Sequence, residues 1–229
     1  MKSRAIAVVG TDTGVGKTCA ARSLLDHLIA GGSNCVALKP FVTGEVEGRW
    51  SDLDRLDVRV SSETGPARYR LPLSPYGAIR RGEQEAPLDR VFAHIASTIE
   101  LHDVVVIEGI GGVLVPLVKG VTWLDLHARH RWPAIVVARA GLGTINHSLL
   151  TIDALRSRDI PIAGFVLAAT TRVAEADAEE NAFIITEFSG ADCLGIVPFE
   201  EDDVKASWDR HVDWDRVALP SKELTHAAR

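Results

Sequence analysis

The feature that most constrains the fold is a glycine-rich segment near the start of the chain, GTDTGVGKT at residues 10–18. It follows a continuous apolar run, Arg4–Val9, and precedes a segment with helical spacing of apolar residues, Thr18–Ala30. A strand, a glycine-rich turn and a helix in this order indicate a phosphate-binding loop, in which backbone N–H groups and the helix N-terminus face phosphate oxygens. We expect Lys17 to reach the β- and γ-phosphates of a nucleotide, and the Thr18 hydroxyl to ligate Mg²⁺.

Short apolar runs of strand length alternate with longer amphipathic segments along the rest of the chain. The strand-like runs are Arg4–Val9, Cys35–Leu38, Val104–Ile107, Ala134–Ala138, Ile162–Leu167 and Leu194–Val197. The segments with helical spacing are Thr18–Ala30, Leu88–Leu101, Ile145–Arg156 and Glu175–Phe188. Runs that are apolar on both faces favour parallel strands covered by helices on each side. The pattern predicts a doubly wound α/β fold, with a mostly parallel sheet flanked by helices as in phosphate-loop NTPases.

The chain of 229 residues is interpreted as a single domain, residues 1–229. The stretch 41–84 shows no clear period and is rich in Pro and Gly, so we expect loops and short helices there. From about residue 205 the sequence is polar and poorly periodic, which predicts a peripheral tail.

Composition excludes several functional classes. The 25 Lys and Arg residues against 31 Asp and Glu give a net charge of −6, which disfavours a nucleic-acid partner. No apolar run reaches the length of a membrane span. Cys19, Cys35 and Cys193 are far apart and odd in number, which is typical of reduced thiols. The amino-terminal apolar run leads into the glycine-rich loop and not into a cleavage site, so we expect a cytoplasmic protein.

Two charged residues lie at the ends of predicted strands, where α/β sheets bind ligands. Lys39 ends the run ValAlaLeu and is followed by a loop that carries Thr43. A strand-end lysine often reaches only into water, but the hydroxyl-bearing loop after it favours a role in binding. Glu108 ends the run ValValValIle and precedes glycines. A carboxylate at that place, beside a phosphate-binding loop, is typical of a group that holds Mg²⁺.

A second carboxylate for the metal could come from Asp52, Asp54 or Asp57, which follow the irregular loop. Acidic residues also favour the first turn of a helix, and this plainer interpretation is strong for Asp54 and Asp57. The eight histidines show no spacing typical of metal ligands.

Four segments together resemble the dethiobiotin synthetase family, which closes the ureido ring in biotin biosynthesis. They are GTDTGVGKT at 10–18, KPFVTG at 39–44, EGIGGVLVPL at 108–117 and AGLGTINHSLLTIDAL at 140–155. The first segment would also fit other members of the deviant phosphate-loop superfamily, whereas the fourth is more specific.

The resemblance implies a ligase that uses ATP, Mg²⁺, CO₂ and 7,8-diaminononanoate. In the family one amine captures CO₂ as a carbamate, the carbamate attacks the γ-phosphate, and the second amine displaces phosphate to close the ring. Because a carbamate and a triphosphate are both anionic, the site needs concentrated positive charge.

The resemblance also assigns residues to the nucleotide, the substrate and the metal. Lys17, Lys39 and Thr13 are the implied catalytic residues. The implied nucleotide site comprises Thr13, Gly14, Val15, Gly16, Lys17, Thr18, Glu108, Gly111 and Pro198. The implied substrate contacts are Thr13, Lys39, Thr43, Gly143, Thr144, Ile145 and Asn146. The implied metal ligands are Thr18, Asp52 and Glu108, with Asp54 as an alternative to Asp52.

The family is a homodimer with active sites at the subunit interface. The resemblance implies that Gly143–Asn146 of the partner chain holds the distal carboxylate of the substrate at a helix N-terminus. Free N–H groups there suit a carboxylate, although the same residues would also suit an ordinary capped helix.

One departure from the family concerns the base of the nucleotide. Many members have an adenine-reading Asn after the late strand, where this chain has Ala168. We therefore expect weak base selectivity, unless backbone groups near Pro198 read the base. The rival interpretation is a regulatory or partitioning ATPase of the same superfamily. Such ATPases carry a second Lys early in the loop, where this chain has Thr11 and Asp12.

Overall fold

A computed structural model describes residues 4–56, 67–200 and 204–217 of the chain. The strands are β1 (Arg4–Gly10), β2 (Cys35–Leu38), β3 (Phe41–Thr43), β4 (Ala67–Tyr69), β5 (Val104–Gly112), β6 (Pro116–Val118), β7 (Val121–Thr122), β8 (Ala134–Arg139), β9 (Ile162–Ala168) and β10 (Cys193–Val197). The helices are α1 (Lys17–Ala30), α2 (Ser51–Leu56), α3 (Pro75–Arg80), α4 (Leu88–Leu101), α5 (Trp123–His130), α6 (Thr144–Arg156), α7 (Glu175–Ser189) and α8 (Val204–His211). A short 3₁₀ helix follows at Trp214–Arg216.

Six strands form one parallel sheet in the order β10-β9-β8-β1-β5-β2. All six strands predicted from apolar runs belong to it, so the predicted doubly wound α/β fold is confirmed. After β1 the chain forms β2 at one edge of the sheet, and its last strands, β8 to β10, extend the sheet on the other side of β1. Ligands of such sheets bind at the carboxyl ends of the strands, where the connections diverge. The carboxyl end of β1 is Gly10, the first residue of the glycine-rich segment.

The core lies on both faces of this sheet, because successive side chains of a strand point to opposite faces. In β1, Ala5, Ala7 and Val9 pack on the face that α4, α5, α6 and α7 cover. Ile6 and Val8 pack on the other face, against α1 and α8. Helices on both faces explain why the central strands read as continuous apolar runs.

The irregular stretch 41–84 contains more regular structure than its sequence predicts. Short helices α2 and α3 are present as expected, and β3 and β4 also form a two-stranded parallel pair. Residues 57–66, between α2 and β4, lie outside the described ranges. Three-residue strands carry too little periodicity to be recognised from sequence.

The prediction of a peripheral tail from about residue 205 is wrong for the described residues 204–217. This segment forms α8 and the 3₁₀ helix, and it packs into the core on the α1 face. Trp208, Val212, Trp214 and Val217 are buried there. These four apolar residues could not be recognised as a buried set from the sequence, because polar residues separate them and their spacing follows no single helical or strand period.

In the described part of the chain, no helix is both long enough and apolar enough to cross a membrane. Cys19, Cys35 and Cys193 are free thiols, as the sequence predicts.

Candidate active site

The glycine-rich segment forms a tight loop between β1 and α1. Gly14 and Gly16 have φ angles of 74° and 100°, in the left-handed region that glycine adopts at little cost. Lys17 is the first residue of α1, and its Nζ donates a 2.7 Å hydrogen bond to the backbone oxygen of Asp12. The loop therefore folds around the Lys17 ammonium at a helix N-terminus, the arrangement that binds phosphates.

Lys17 is nearly buried, and this affects its charge. Burial lowers the pKa of Lys17 to about 8, since the ammonium is largely removed from water, and the Glu108 carboxylate opposes that shift. A pKa of about 8 still leaves Lys17 mostly protonated at neutral pH. The loop thus presents a positive charge at low hydration, where its attraction for a phosphate is strong.

A cluster of four side chains lies beside the loop, and we call it the Lys39 cluster: Thr18, Lys39, Asp52 and Glu108. Nζ of Lys39 lies 2.5 Å from Oε1 of Glu108 and 2.5 Å from Oδ2 of Asp52. The Thr18 hydroxyl donates to the same Oε1 of Glu108 at 2.8 Å. Lys39 is 4% exposed and Glu108 is 1% exposed. The cluster joins α1, β5, α2 and the end of β2 at the carboxyl edge of the sheet.

Burial and ion pairing have opposite effects on the pKa values of Lys39 and Glu108. Burial tends to lower the pKa of Lys39, but Glu108 and Asp52 outweigh it and raise that pKa. Burial raises the pKa of Glu108, against the opposing effects of Lys39 and Thr18. Oε1 of Glu108 lies within hydrogen-bond distance of both Nζ of Lys39 and the Thr18 hydroxyl, and such contacts favour the charged carboxylate.

The donor atoms of the Lys39 cluster fit a magnesium ion. Oε2 of Glu108 is buried and has no hydrogen-bond partner among the described residues. Thr18, Asp52 and Glu108 supply only oxygen atoms, which Mg²⁺ prefers. The described ranges hold no group of three or more Asp, Glu, His or Cys side chains that could bind a metal. Phosphate oxygens and water would have to complete the coordination, as is usual for Mg²⁺.

The structure distinguishes two of the three aspartates that the sequence left open. Asp52 contacts Lys39, whereas Asp54 forms an ion pair of 3.1 Å with Arg49 at the surface. Asp57 lies outside the described residues. Of the two described aspartates, Asp52 is the one that lies in the Lys39 cluster.

Thr13 and Gly111 meet where the loop passes the end of β5. A Cβ placed on Gly111 would lie 3.4 Å from Oγ1 of Thr13 and 2.6 Å from a methyl group of Val115. With its φ of 56°, Gly111 permits this close approach. Asp12 is fixed by an ion pair of 2.6 Å with Arg139, at the end of β8. Thr43 ends β3 and is half-buried.

The segment Gly143–Asn146 forms the N-terminus of α6. Gly143 is the N-cap residue, and within the described ranges no side chain caps this helix. Thr144 is buried, with its hydroxyl 3.4 Å from that of Ser148, whereas Gly143 and Asn146 are exposed. Leu142, just before the helix, is fully exposed. The first turn of α6 is thus open to the surroundings of this chain.

A cavity of about 160 Å³ lies on the other side of the phosphate-binding loop. Its walls include Gly14, Val15 and Gly16 of the loop, Ala168 at the end of β9, and Pro198 after β10. Because it adjoins the loop at the carboxyl ends of β9 and β10, it is suited to the base of a nucleotide bound there. The Ala168 methyl can form no hydrogen bond with a base.

Comparison with known proteins identifies the family. Residues 4–207 match a family model described as an AAA domain. The ATP-dependent dethiobiotin synthetase of Anaeromyxobacter dehalogenans is 40% identical over 204 residues, which cover 87% of this chain and 92% of the relative. That of Novosphingobium aromaticivorans is 44% identical over 165 residues, 70% of this chain and 74% of the relative. The chain belongs to the dethiobiotin synthetases.

Solved structures agree on the fold of this synthetase. The ParA family ATPase of Chlorobium tepidum superposes with a TM-score of 0.53 at 14% identity, covering 94% of this chain and 93% of that one. The MinC:MinD cell division complex of Aquifex aeolicus gives a TM-score of 0.53 at 16% identity, with 91% and 86% covered. At such identities the likeness concerns the fold alone. The relatives at 40% and 44% identity are dethiobiotin synthetases, which are ligases, and they favour that function over the rival partitioning ATPase.

A larger cavity, of about 380 Å³, lies away from this synthetase site. It is lined by residues that include Arg22, Asp26, Asn34 and Cys35. Cys35 begins β2, so this cavity is at the amino end of the sheet, opposite the phosphate-binding loop. Cavity size is a poorer guide here than position, because α/β sheets bind ligands at the carboxyl ends of their strands.

Two features of the synthetase site were missed by sequence reasoning. The ion pair between Asp12 and Arg139 joins residues 127 positions apart, and α8 supplies part of the wall of the 160 Å³ cavity through Val204, Ser207 and Trp208. A basic residue at the end of a predicted strand is the signal that could have indicated Arg139. No comparable sequence signal indicated that Trp208 would be buried at this cavity.

Proposed function

We propose that the chain makes dethiobiotin from 7,8-diaminononanoate, CO₂ and ATP, with Lys17 and Lys39 as the cations that bring the two anionic reactants together. The observation that carries this proposal is the Lys39 cluster, which places a buried ammonium and a buried carboxylate beside a phosphate-binding loop. A nucleotide switch would need the loop and a metal ligand, whereas a second buried lysine is suited to a second anion.

The proposed reaction has three steps. One amine of the diamine adds to CO₂ and releases a proton, which gives a carbamate. A carbamate oxygen then attacks the γ-phosphorus of ATP, and ADP leaves. The second amine attacks the carbonyl carbon of the resulting mixed anhydride, phosphate leaves, and the ureido ring is closed. The first and last steps need amines that arrive unprotonated, so the scheme assigns no protein side chain as a general base.

In this scheme Lys17 binds the β- and γ-phosphates, and Lys39 lies between the γ-phosphate and the carbamate. Thr13 and Thr43 donate hydrogen bonds to the carbamate. Preorganised cations in a poorly hydrated site stabilise charge that develops on the transferring phosphoryl group. Burial of Lys17 and Lys39 supports this role, because their charges are weakly screened.

We further propose that Thr18, Asp52 and Glu108 hold Mg²⁺. When bound, this ion would neutralise part of the phosphate charge. The unpaired Oε2 of Glu108 supports the assignment, because a buried carboxylate oxygen without a partner is costly unless a ligand completes it.

The synthetase is proposed to act as a homodimer in the cytoplasm, and small molecules are its substrates. The open first turn of α6 supports the dimer, since its exposed N-terminus could bind the distal carboxylate of a diamine held mainly by the partner chain. Residues Gly143, Thr144, Ile145 and Asn146 form this proposed contact. Free thiols at all three cysteines support a reducing compartment.

The test of this function is the release of phosphate from ATP by the purified chain. We expect release to depend on both 7,8-diaminononanoate and bicarbonate, and to fall when either is omitted. Lys39→Gln should abolish the stimulation, while Lys119→Gln, at an exposed lysine remote from the cluster in sequence, should retain it. Release that proceeds equally without the diamine would support the switch instead.

A further inference from the structure

Polar contacts at the C-terminal end of α8, and just beyond it, fix the helix in place beside the nucleotide site. Asp209 accepts a 2.5 Å hydrogen bond from the hydroxyl of Ser23 on α1. Nε1 of Trp214 donates to the same hydroxyl at 2.9 Å. Arg210 forms an ion pair of 3.1 Å with Glu200, in the loop after β10. The helix is thus joined to α1 and to the loop that follows the last strand.

These contacts bring the indole of Trp208 against the phosphate-binding loop. A Cβ placed on Gly16 would lie 2.7 Å from Cζ2 of Trp208 and 3.6 Å from Cβ of Ala168. Trp208 is almost completely buried. Gly16 also has a φ of 100°, so both its backbone and its surroundings require glycine. The indole, the loop and the end of β9 therefore meet at one point.

That point is on the wall of the 160 Å³ cavity that adjoins the loop. Trp208, Ala168, Val197 and Pro198 make much of this wall apolar. Because the cavity adjoins the loop, a nucleotide whose phosphates occupied the loop would have this cavity beside its base. The Ala168 side chain would offer that base no hydrogen bond. Aromatic side chains bind bases by stacking with little regard to which base is present, because every base has a π-face.

We propose that Trp208 is a base-binding residue of the nucleotide site, which gives affinity for any base by apolar contact in place of selective hydrogen bonds. The inference rests on the proposed use of a nucleoside triphosphate by this chain. The ligand class is a nucleoside triphosphate with either a purine or a pyrimidine base. Through α8, the C-terminal segment becomes part of the nucleotide-binding site.

The test measures dissociation constants, without the diamine, for ATP, GTP, CTP and UTP, and for inorganic triphosphate, which has no base. Trp208→Leu should weaken binding of all four nucleotides by about tenfold, the loss typical of a removed base–aromatic contact. Binding of inorganic triphosphate should stay within about twofold, since the loop and Lys17 remain. Trp208→Phe should keep most of the affinity, because an aromatic wall is retained.

Trp214→Phe is the matched control. Trp214 lies in the same C-terminal segment and the same core, but it is not among the residues that line the cavity. If Trp208 acts only by holding α8 in place, Trp214→Phe should weaken nucleotide binding as Trp208→Leu does, and inorganic triphosphate should weaken equally. Either result would overturn the proposal, and so would unchanged nucleotide binding by Trp208→Leu.

A failure of the proposed function has a different signature. If the wild-type chain binds nucleotides but makes no dethiobiotin, the synthetase reaction is refuted and the comparison of the Trp208 variants still decides this inference. Thermal unfolding of each variant, monitored without nucleotide, shows that the altered chains are folded.

Discussion

Replacing Lys39 by Gln should destabilise the protein as well as inactivate it, because the substitution leaves the buried carboxylate of Glu108 without its cation. The side chains of Lys39 and Glu108 are 4% and 0% exposed, and their charged atoms are 2.5 Å apart. Removing one partner of a buried ion pair costs roughly 3–5 kcal/mol of unfolding free energy. The side chain of Asp52 is 40% exposed, so water can solvate its carboxylate after Lys39 is lost, and most of the cost arises at Glu108.

The expected loss can be measured as a change in unfolding midpoint. For a chain of this size, each kcal/mol shifts the midpoint by about 2–4 °C, so Lys39→Gln should unfold about 6–20 °C below the wild type. Turnover should fall by on the order of 10²-fold or more, because a preorganised cation facing developing charge is lost. Unfolding is followed without Mg²⁺, which could replace the missing positive charge, and without nucleotide, whose binding would itself stabilise the folded chain.

The double variant Lys39→Gln/Glu108→Gln is the control that isolates the ion pair. With no unpaired charge left in the core, it should recover most of the lost stability but none of the activity. The reasoning is refuted if Lys39→Gln unfolds at the wild-type midpoint, or if the double variant is no more stable than the single one.

The stability difference between Lys39→Gln and the wild type should depend on pH in a definite direction. Burial raises the pKa of Glu108 above its value in the unfolded chain. A carboxyl group of this kind contributes stability at low pH, where it is protonated, and loses that contribution as the pH rises through its folded-state pKa. Lys39 exerts the largest effect that opposes this rise, and Lys39→Gln removes it. The stability gap between Lys39→Gln and the wild type should therefore shrink as the pH is lowered through that range, and a gap that widens would contradict the account.

Three further predictions concern the metal, the base and the dimer. Asp52→Asn should raise the Mg²⁺ concentration needed for half-maximal rate, whereas Asp54→Asn should not; equal effects would remove Asp52 from the metal site. Because Ala168 offers no hydrogen bond, kcat/KM for ATP, GTP, CTP and UTP should agree within about tenfold, and a preference beyond about 100-fold would show that another group reads the base. Inactive Lys17→Ala and Asn146→Glu chains should regain partial activity when their subunits exchange, since each heterodimer has one intact composite site; no recovery after demonstrated exchange would mean that one chain builds the whole site.

The fold could be predicted from sequence because its signals are local. The glycine-rich loop, the strand before it and the helix after it lie within 30 residues, and each central strand is an uninterrupted apolar run. Contacts between distant segments were beyond this reasoning. Trp208 lies against Gly16, and Asp209 pairs with Ser23, across some 190 positions of chain. Composition there is polar on average, so burial of the two C-terminal tryptophans depends on a docking surface that only the folded α1 and β10 provide.

Several residues of the candidate site could be predicted from the sequence, but the contacts between them could not. Strand ends marked Lys39 and Glu108 as residues at the ligand-binding edge, since parallel strands bring their carboxyl ends together. Sequence did not decide between Asp52 and Asp54, because both lie in the first turn of one short helix. Their difference arises from which face of α2 turns toward Lys39, and this depends on tertiary packing. The homodimer and the bound Mg²⁺ stay predictions.

The most direct test of the central claim is mass spectrometry of the product formed from ATP, 7,8-diaminononanoate and ¹³C-labelled bicarbonate. The account predicts dethiobiotin that carries one ¹³C at its ureido carbon, with one phosphate released for each molecule formed. Phosphate released from ATP without any labelled dethiobiotin would contradict it.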